Sequence, residues 1–110
     1  MSISDIKTEK QLHQNDGFGM RTHQPDFTFT NDKRSYCVEV ELSIKSKARL
    51  ERNIKDNFLK YDTQIWVVDE PASQNGAKLK CILESYKKLY PNMKILNVSE
   101  VKNYVFGFNN

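Results

Sequence analysis

Gln64-Ile65-Trp66-Val67-Val68 is a short, nearly continuous apolar run, the pattern of a strand covered on both faces. What flanks it constrains the fold most. Upstream, from Lys45 to about Lys60, Leu50, Ile54, Phe58 and Tyr61 recur at helical spacing and make one apolar face. Downstream, a second amphipathic helix is expected from about Ala77 to Tyr90, with Leu79, Ile82, Leu83, Tyr86 and Leu89 inward, and Pro91 stops it. Met93-Lys94-Ile95-Leu96-Asn97-Val98 reads as a further strand, and Ser99-Glu100 as the opening of a last helical turn. A strand reached and left through helices implies crossover connections and a sheet with helices packed on it.

The N-terminal half adds a hairpin. Asp26-Phe27-Thr28-Phe29-Thr30 has strand-favouring residues, Asn31-Asp32-Lys33 is turn chemistry, and Ser35 to Leu42 resumes as a strand. Before it, Ser4-Asp5 followed by Ile6 to Leu12 has the form of a short capped helix. Asn15-Asp16-Gly17-Phe18-Gly19 breaks that helix, so 13–24 is expected as loop. The order is helix, strand, strand, helix, strand, helix, strand: an α/β chain with a mixed sheet.

At 110 residues the chain is expected to form one domain over 1–110. Hydrophobic residues make up 38% and charged residues 28%, the proportions of an ordinary globular protein. No apolar run approaches the roughly 20 residues that cross a bilayer. The start Met1-Ser2-Ile3-Ser4-Asp5 lacks the basic and apolar regions of a secretion signal. Cys37 and Cys81 lie in regular elements with apolar neighbours, so two free buried thiols and a cytoplasmic setting are expected. The net charge of +3 permits a nucleic-acid partner without demanding one.

Within this frame three acids stand in costly places. Asp26 follows Pro25 at the mouth of one hairpin strand, and Glu39 and Glu41 lie two apart in the other. Alternation puts both glutamates on one side of the strand, with Val38, Val40 and Leu42 on the other. Carboxylates converging there repel unless protons, basic side chains or a cation lie between them. A hard ion such as Mg²⁺ is the natural occupant, because it takes oxygen ligands and keeps waters. The competing reading is an edge strand whose exposed glutamates pair with neighbouring lysines. Spacing alone leaves both open.

Pro25-Asp26, then Glu39-Val40-Glu41 after a hairpin, followed by a basic helix, resembles the PD-(D/E)xK nuclease-like superfamily. More narrowly, His23-x-Pro25-Asp26 with Glu39-Val40-Glu41-Leu42-Ser43-x-Lys45-Ser46 and Arg49-Leu50 is similar to the nuclease-like domain of the replication-relaxation family. Those are bacterial plasmid and mobile-element proteins related to mobilisation relaxases. The resemblance implies a restriction-endonuclease-like sheet flanked by helices, in the order helix, three strands, helix, strand. This chain shows two clear strands before its basic helix. By the same resemblance Asp26 and Glu39 match the metal-binding acids, and Glu9 matches an extra acid that many members carry on the first helix. Mg²⁺ or Mn²⁺ is the implied cofactor. Glu41 departs from the pattern, standing where the motif has the lysine that orients the attacking water. Lys45, with Lys47 behind it, is the nearest replacement at the start of the following helix. The implied activity is metal-dependent nicking or cleavage of DNA in replication or mobilisation, with Asp26, Glu39, Glu41 and Lys45 as the catalytic set. The alternative is a non-catalytic DNA-binding module on the same fold.

The basic helix supports DNA in either case. Lys45, Lys47, Arg49, Arg52, Lys55 and Lys60 against Glu51 and Asp56 make that stretch +4. Such a face tracks a phosphate backbone with an affinity that falls as salt rises. It also fits a plain solvated helix face. His23, Lys45, Lys47, Arg49 and Arg52 are the expected DNA contacts, His23 from a loop bordering the cleft. Tyr36 and Trp66 are expected as core or cleft wall, with Phe18 open to base stacking. A homodimer, or partners in a relaxosome or replication complex, would accompany the nicking reading.

Overall fold

The computed structural model describes residues 4–8, 25–43, 46–70 and 73–101, and in the first of these segments only the Ile6 side chain. Among the described residues five strands form one sheet: β1 (Ser4–Thr8), β2 (Phe27–Asn31), β3 (Arg34–Glu41), β4 (Thr63–Val68) and β5 (Met93–Asn97), in spatial order β1-β2-β3-β4-β5. β1, β2 and β3 are antiparallel neighbours, whereas β3, β4 and β5 run parallel. The mixed α/β sheet expected from the sequence is therefore present.

Helices α1 (Lys47–Lys60) and α2 (Gln74–Lys87) carry the two parallel crossovers. Both lie on one face, because β3, β4 and β5 advance in one direction and each crossover turns with the same hand. Leu50 and Ile54 of α1 and Leu79 and Leu83 of α2 are buried against Trp66, Val68, Met93 and Ile95. The opposite face gathers Phe29, Val38, Ile65 and Val67, with Tyr36, Leu96 and Val101 packed against them. Val101 belongs to a last helical turn over 98–101, as the Ser99-Glu100 pattern implies. β4 is thus buried on both sides, the reason its sequence is a continuous apolar run.

The first element differs from expectation. Residues Ser4–Thr8 are a strand, not a helix, and pair with β2 through Lys7↔Thr28 and Thr8↔Phe27. Local capping chemistry favours a helix there, but an open β2 edge offers backbone hydrogen bonds that a five-residue helix makes poorly. Three strands therefore precede α1 among the described residues.

Each helix starts on a serine. Ser46 Oγ accepts from the Arg49 N–H at 3.2 Å, and Ser73 Oγ from the Gly76 N–H at 3.2 Å. Gly76 lies in the buried first turn of α2, where an added Cβ would stand 2.6 Å from the Glu70 carbonyl oxygen and 2.7 Å from that of Asp69. Backbone cannot give way as a flexible side chain can. Gly76→Ala should therefore cost about 1–3 kcal/mol despite its better helix propensity, and an unchanged urea midpoint would contradict this packing.

The β2–β3 hairpin turns through Asp32 and Lys33, both at positive φ, 56° and 67°. Two consecutive left-handed residues match the right-handed twist of the strands, and glycine suits the second of them best. Lys33→Gly is expected to raise stability by roughly 0.5–1 kcal/mol, seen as a higher midpoint at unchanged urea slope.

A buried polar network ties α1 to the sheet. Gln64, fully buried, donates from Nε2 to the Ile54 carbonyl at 3.1 Å and to Asn92 Oδ1 at 2.9 Å. It accepts the Trp66 indole N–H at 2.8 Å, while Asn92 Nδ2 donates to the Tyr61 carbonyl at 3.2 Å. Burial of an amide is tolerable because its donors and acceptor are met. Trp66 therefore belongs to the core, as expected, and Tyr36 stacks on Phe29 with ring centroids 4.8 Å apart.

Three expectations on side-chain placement are corrected. Asn57, not Phe58, is the third inward residue of α1; Phe58 lies to one side, edge-on to Tyr90 at 5.4 Å. Leu89 is exposed, because α2 ends at Lys87 and the chain turns away before Pro91. Cys37 is buried and free as expected, but Cys81 is free and exposed on the outer side of α2.

Candidate carboxylate site

Glu39 and Glu41 sit in β3, a strand with neighbours on both sides, and both are buried, at 6% and 8% exposure. The reading of them as exposed glutamates on an edge strand is thereby excluded. They point to the helix face, with register partners Trp66 and Val68, while Val40 between them faces the other way and is exposed. β3 holds them there because its alternate residues, Tyr36 and Val38, pack into the opposite core.

Asp26 reaches the same stretch of β3. Its backbone N–H donates to the Val38 carbonyl at 3.0 Å, extending the ladder one residue beyond Phe27. Its carboxylate Oδ2 accepts the Val40 N–H at 2.5 Å. A side-chain oxygen thus takes over where a backbone carbonyl would continue the ladder, and the carboxylate rests on the peptide joining Glu39 to Val40. Pro25, buried just ahead, has no N–H to extend the ladder further. The Pro-Asp pair is therefore a strand-starting device that also sets a carboxylate on the Glu39–Val40 peptide.

Glu39 is held from the helix side. Asn57 of α1, 1% exposed, donates from Nδ2 to Glu39 Oε2 at 3.0 Å. The Asn57 Oδ1 is buried with no hydrogen-bond partner among the described residues. Cys37 and Tyr61 stand in the same field. Burial first, and the Glu39 charge second, push the Cys37 thiol far above its usual range, which makes it a poor nucleophile. Tyr61 is likewise raised, by burial and then by Cys37 and Glu39. Sequence reading missed Asn57. The signal was present as a polar residue seven positions after Leu50, on the inward side of the helix.

Glu9, His23 and Lys45 lie outside the described residues, as does Phe18. Lys47, Arg49 and Arg52 are all exposed on the first turns of α1, next to the end of β3 that carries Glu41. The described helix has five basic residues, Lys47, Arg49, Arg52, Lys55 and Lys60, against Glu51 and Asp56, a net +3.

The donor chemistry suits a hard divalent cation. Asp26 and Glu39 offer carboxylate oxygens from neighbouring strands, and Asp26 Oδ1 accepts no hydrogen bond from a described residue. Among the described residues no three of His, Cys, Asp and Glu gather closely enough to hold a metal ion. An ion held by Asp26 and Glu39 would complete its shell with water or substrate oxygens, the ordinary manner for Mg²⁺.

Among the described residues no helix is long and apolar enough to cross a membrane. Comparison of the chain with protein-family models, with curated proteins and with solved structures finds no match.

Proposed function

We propose that this domain is a metal-dependent DNA nuclease or nickase module with a restriction-endonuclease-like sheet, of the kind found in plasmid or mobile-element replication and mobilisation proteins. The observation that carries the reading is the Asp26 carboxylate lodged on the Glu39–Val40 peptide, at the end of the sheet where the basic helix α1 begins. In this reading Asp26 and Glu39 hold Mg²⁺ or Mn²⁺. A bound ion would supply charge stabilisation at the phosphodiester and acidify the attacking water. Asn57 fixes the Glu39 carboxylate, and Lys47, Arg49 and Arg52 hold the phosphate backbone alongside. Lys45 would complete the set toward the scissile phosphate, with Glu9 as a further metal ligand and His23 as a further DNA contact.

Asp26→Asn is the sharpest test, because the amide still offers an oxygen to the Val40 N–H while losing the charge. Nicking of supercoiled plasmid with Mg²⁺ or Mn²⁺ is expected to fall by roughly two orders of magnitude or more, with duplex binding retained. Equal activity in the variant, or no cleavage of any DNA by the parent protein, counts against catalysis.

A specific observation supports a second reading, a non-catalytic DNA-binding module. Glu41 occupies the position of the motif lysine and is buried, so that position supplies no cation to the cleft. Binding would then rest on α1 alone, unaffected by Asp26→Asn. It would be lost in Lys47→Glu/Arg49→Glu.

A further inference from the structure

Half of the Asn57 amide has a partner and half does not. The residue is 1% exposed on the inward side of α1, where Leu50 and Ile54 bury apolar carbon. Its Nδ2 donates to Glu39 Oε2 at 3.0 Å. That bond fixes which way the amide faces, because a carbonyl turned toward the carboxylate would set acceptor against acceptor. Oδ1 is thereby held in one place, buried and without a hydrogen-bond donor among the described residues. Cys37 and Tyr61, the other polar groups in the field of Glu39, are not its partners. A buried carbonyl with no donor is costly, and helix packing gives no reason to keep it.

The surroundings restrict what can meet it. An anion would be repelled by the Glu39 carboxylate and brings no hydrogen to the carbonyl. An apolar group leaves the carbonyl unmet. Water completing the shell of an ion held by Asp26 and Glu39 does bring a hydrogen, and a bound cation makes that water a stronger donor. Asn57 already holds Glu39, so its amide stands just behind one of the two carboxylates assigned to the ion. It adds an oxygen there without adding negative charge.

We propose that Asn57 is a positioning residue for water at the carboxylate site: Nδ2 holds Glu39, and Oδ1 accepts a hydrogen from a water in the shell of the bound ion. The proposal rests on the reading of Asp26 and Glu39 as the metal-holding pair. One planar amide then sets the carboxylate and the water relative to each other, and α1 fixes that plane from a buried position.

The test uses the full chain with Mn²⁺ and Mg²⁺ and needs no DNA. Mn²⁺ affinity, read by electron paramagnetic resonance, is expected to weaken about 10–100-fold in Asn57→Ala. Asn57→Asp keeps a side-chain oxygen there and loses the donor to Glu39, so it should regain affinity over Asn57→Ala. In the parent, the Asn57 side-chain carbonyl carbon should move downfield in the NMR spectrum on saturation with Mg²⁺, as a carbonyl does on gaining a donor. Asp26→Asn should prevent that shift at the same Mg²⁺ concentration. A carbonyl carbon that stays put in a parent that binds Mg²⁺ overturns the proposal, and makes Oδ1 the partner of a structural water indifferent to the ion. Equal Mn²⁺ affinity in Asn57→Ala overturns it too, as does an Asn57→Asp no better than Asn57→Ala. Where the variants do not fold, the carbon shift in the parent decides. A parent that binds neither ion is a separate result: it removes the metal reading of Asp26 and Glu39, and this proposal with it.

Discussion

Replacing Trp66 with alanine is expected to remove most of the stability of the domain, about 3–5 kcal/mol for the cavity and lost contacts alone. Trp66 is fully buried at the meeting point of α1, α2, β4 and β5, so several elements would have to move together to close the void. A polar cost adds to the apolar one. Loss of the indole N–H leaves Gln64 Oε1 buried without its donor, and an orphaned buried acceptor costs about 1–3 kcal/mol. Gln64 also holds the Ile54 carbonyl and Asn92, so the disturbance reaches the end of α1. Against the 5–15 kcal/mol typical of whole domains, the variant should unfold at much lower urea or be largely unfolded at 37 °C. Trp66→Phe keeps most of the volume and loses only the N–H, so it should fall between. A loss below about 2 kcal/mol for Trp66→Ala would mean that the two helices do not close over β4 as described.

Asn57→Ala should cost about 2–4 kcal/mol, well beyond the price of a surface asparagine. The variant strips a hydrogen bond from a carboxylate that is nine-tenths buried, and a buried charge that loses a partner is among the costlier single changes. Glu39→Gln should soften the effect, because the buried group is then neutral. In a double-mutant cycle of Asn57→Ala with Glu39→Gln, a coupling of about 1 kcal/mol or more is expected. Additive losses would show that the Asn57–Glu39 bond does not hold the carboxylate. The same pair bears on function. An apolar residue at 57 would serve the helix packing better, as Leu50 and Ile54 do, so the polar choice there favours a carboxylate kept in place for a purpose.

Much of this was legible in the chain, and the reason is periodicity. Two helices at 3.6-residue spacing, a hairpin with its turn, and an apolar run at Gln64 to Val68 fixed the α/β class and the mixed sheet, since each pattern has one way to bury its apolar residues. The helix starts were legible to within a few residues, Lys45 against Lys47 and Ala77 against Gln74. The Glu39 and Glu41 alternation was also legible, and both side chains share one face as alternation requires. What the glutamates meet was not. Charge spacing in a strand reads the same at an edge and in the middle of a sheet, and only strand order separates the two.

The remaining differences have one cause. Ser4–Thr8 has the local chemistry of a helix start, and the open edge of β2 makes it a strand. Asn57 and Phe58 stand side by side at the limit of the apolar face, and the contact with Tyr90, more than 30 residues away, draws Phe58 aside and leaves Asn57 facing Glu39. Leu89 follows the helical period of α2 in sequence yet lies past its last turn. By itself the sequence determined the elements from Phe27 onward, their order and the face each strand residue takes, because these depend on local geometry and on the side-chain period. Only the tertiary structure decided that β3 is an inner strand, that Asp26 rests on the Glu39–Val40 peptide and that Asn57 meets Glu39, because each depends on which distant residue arrives opposite.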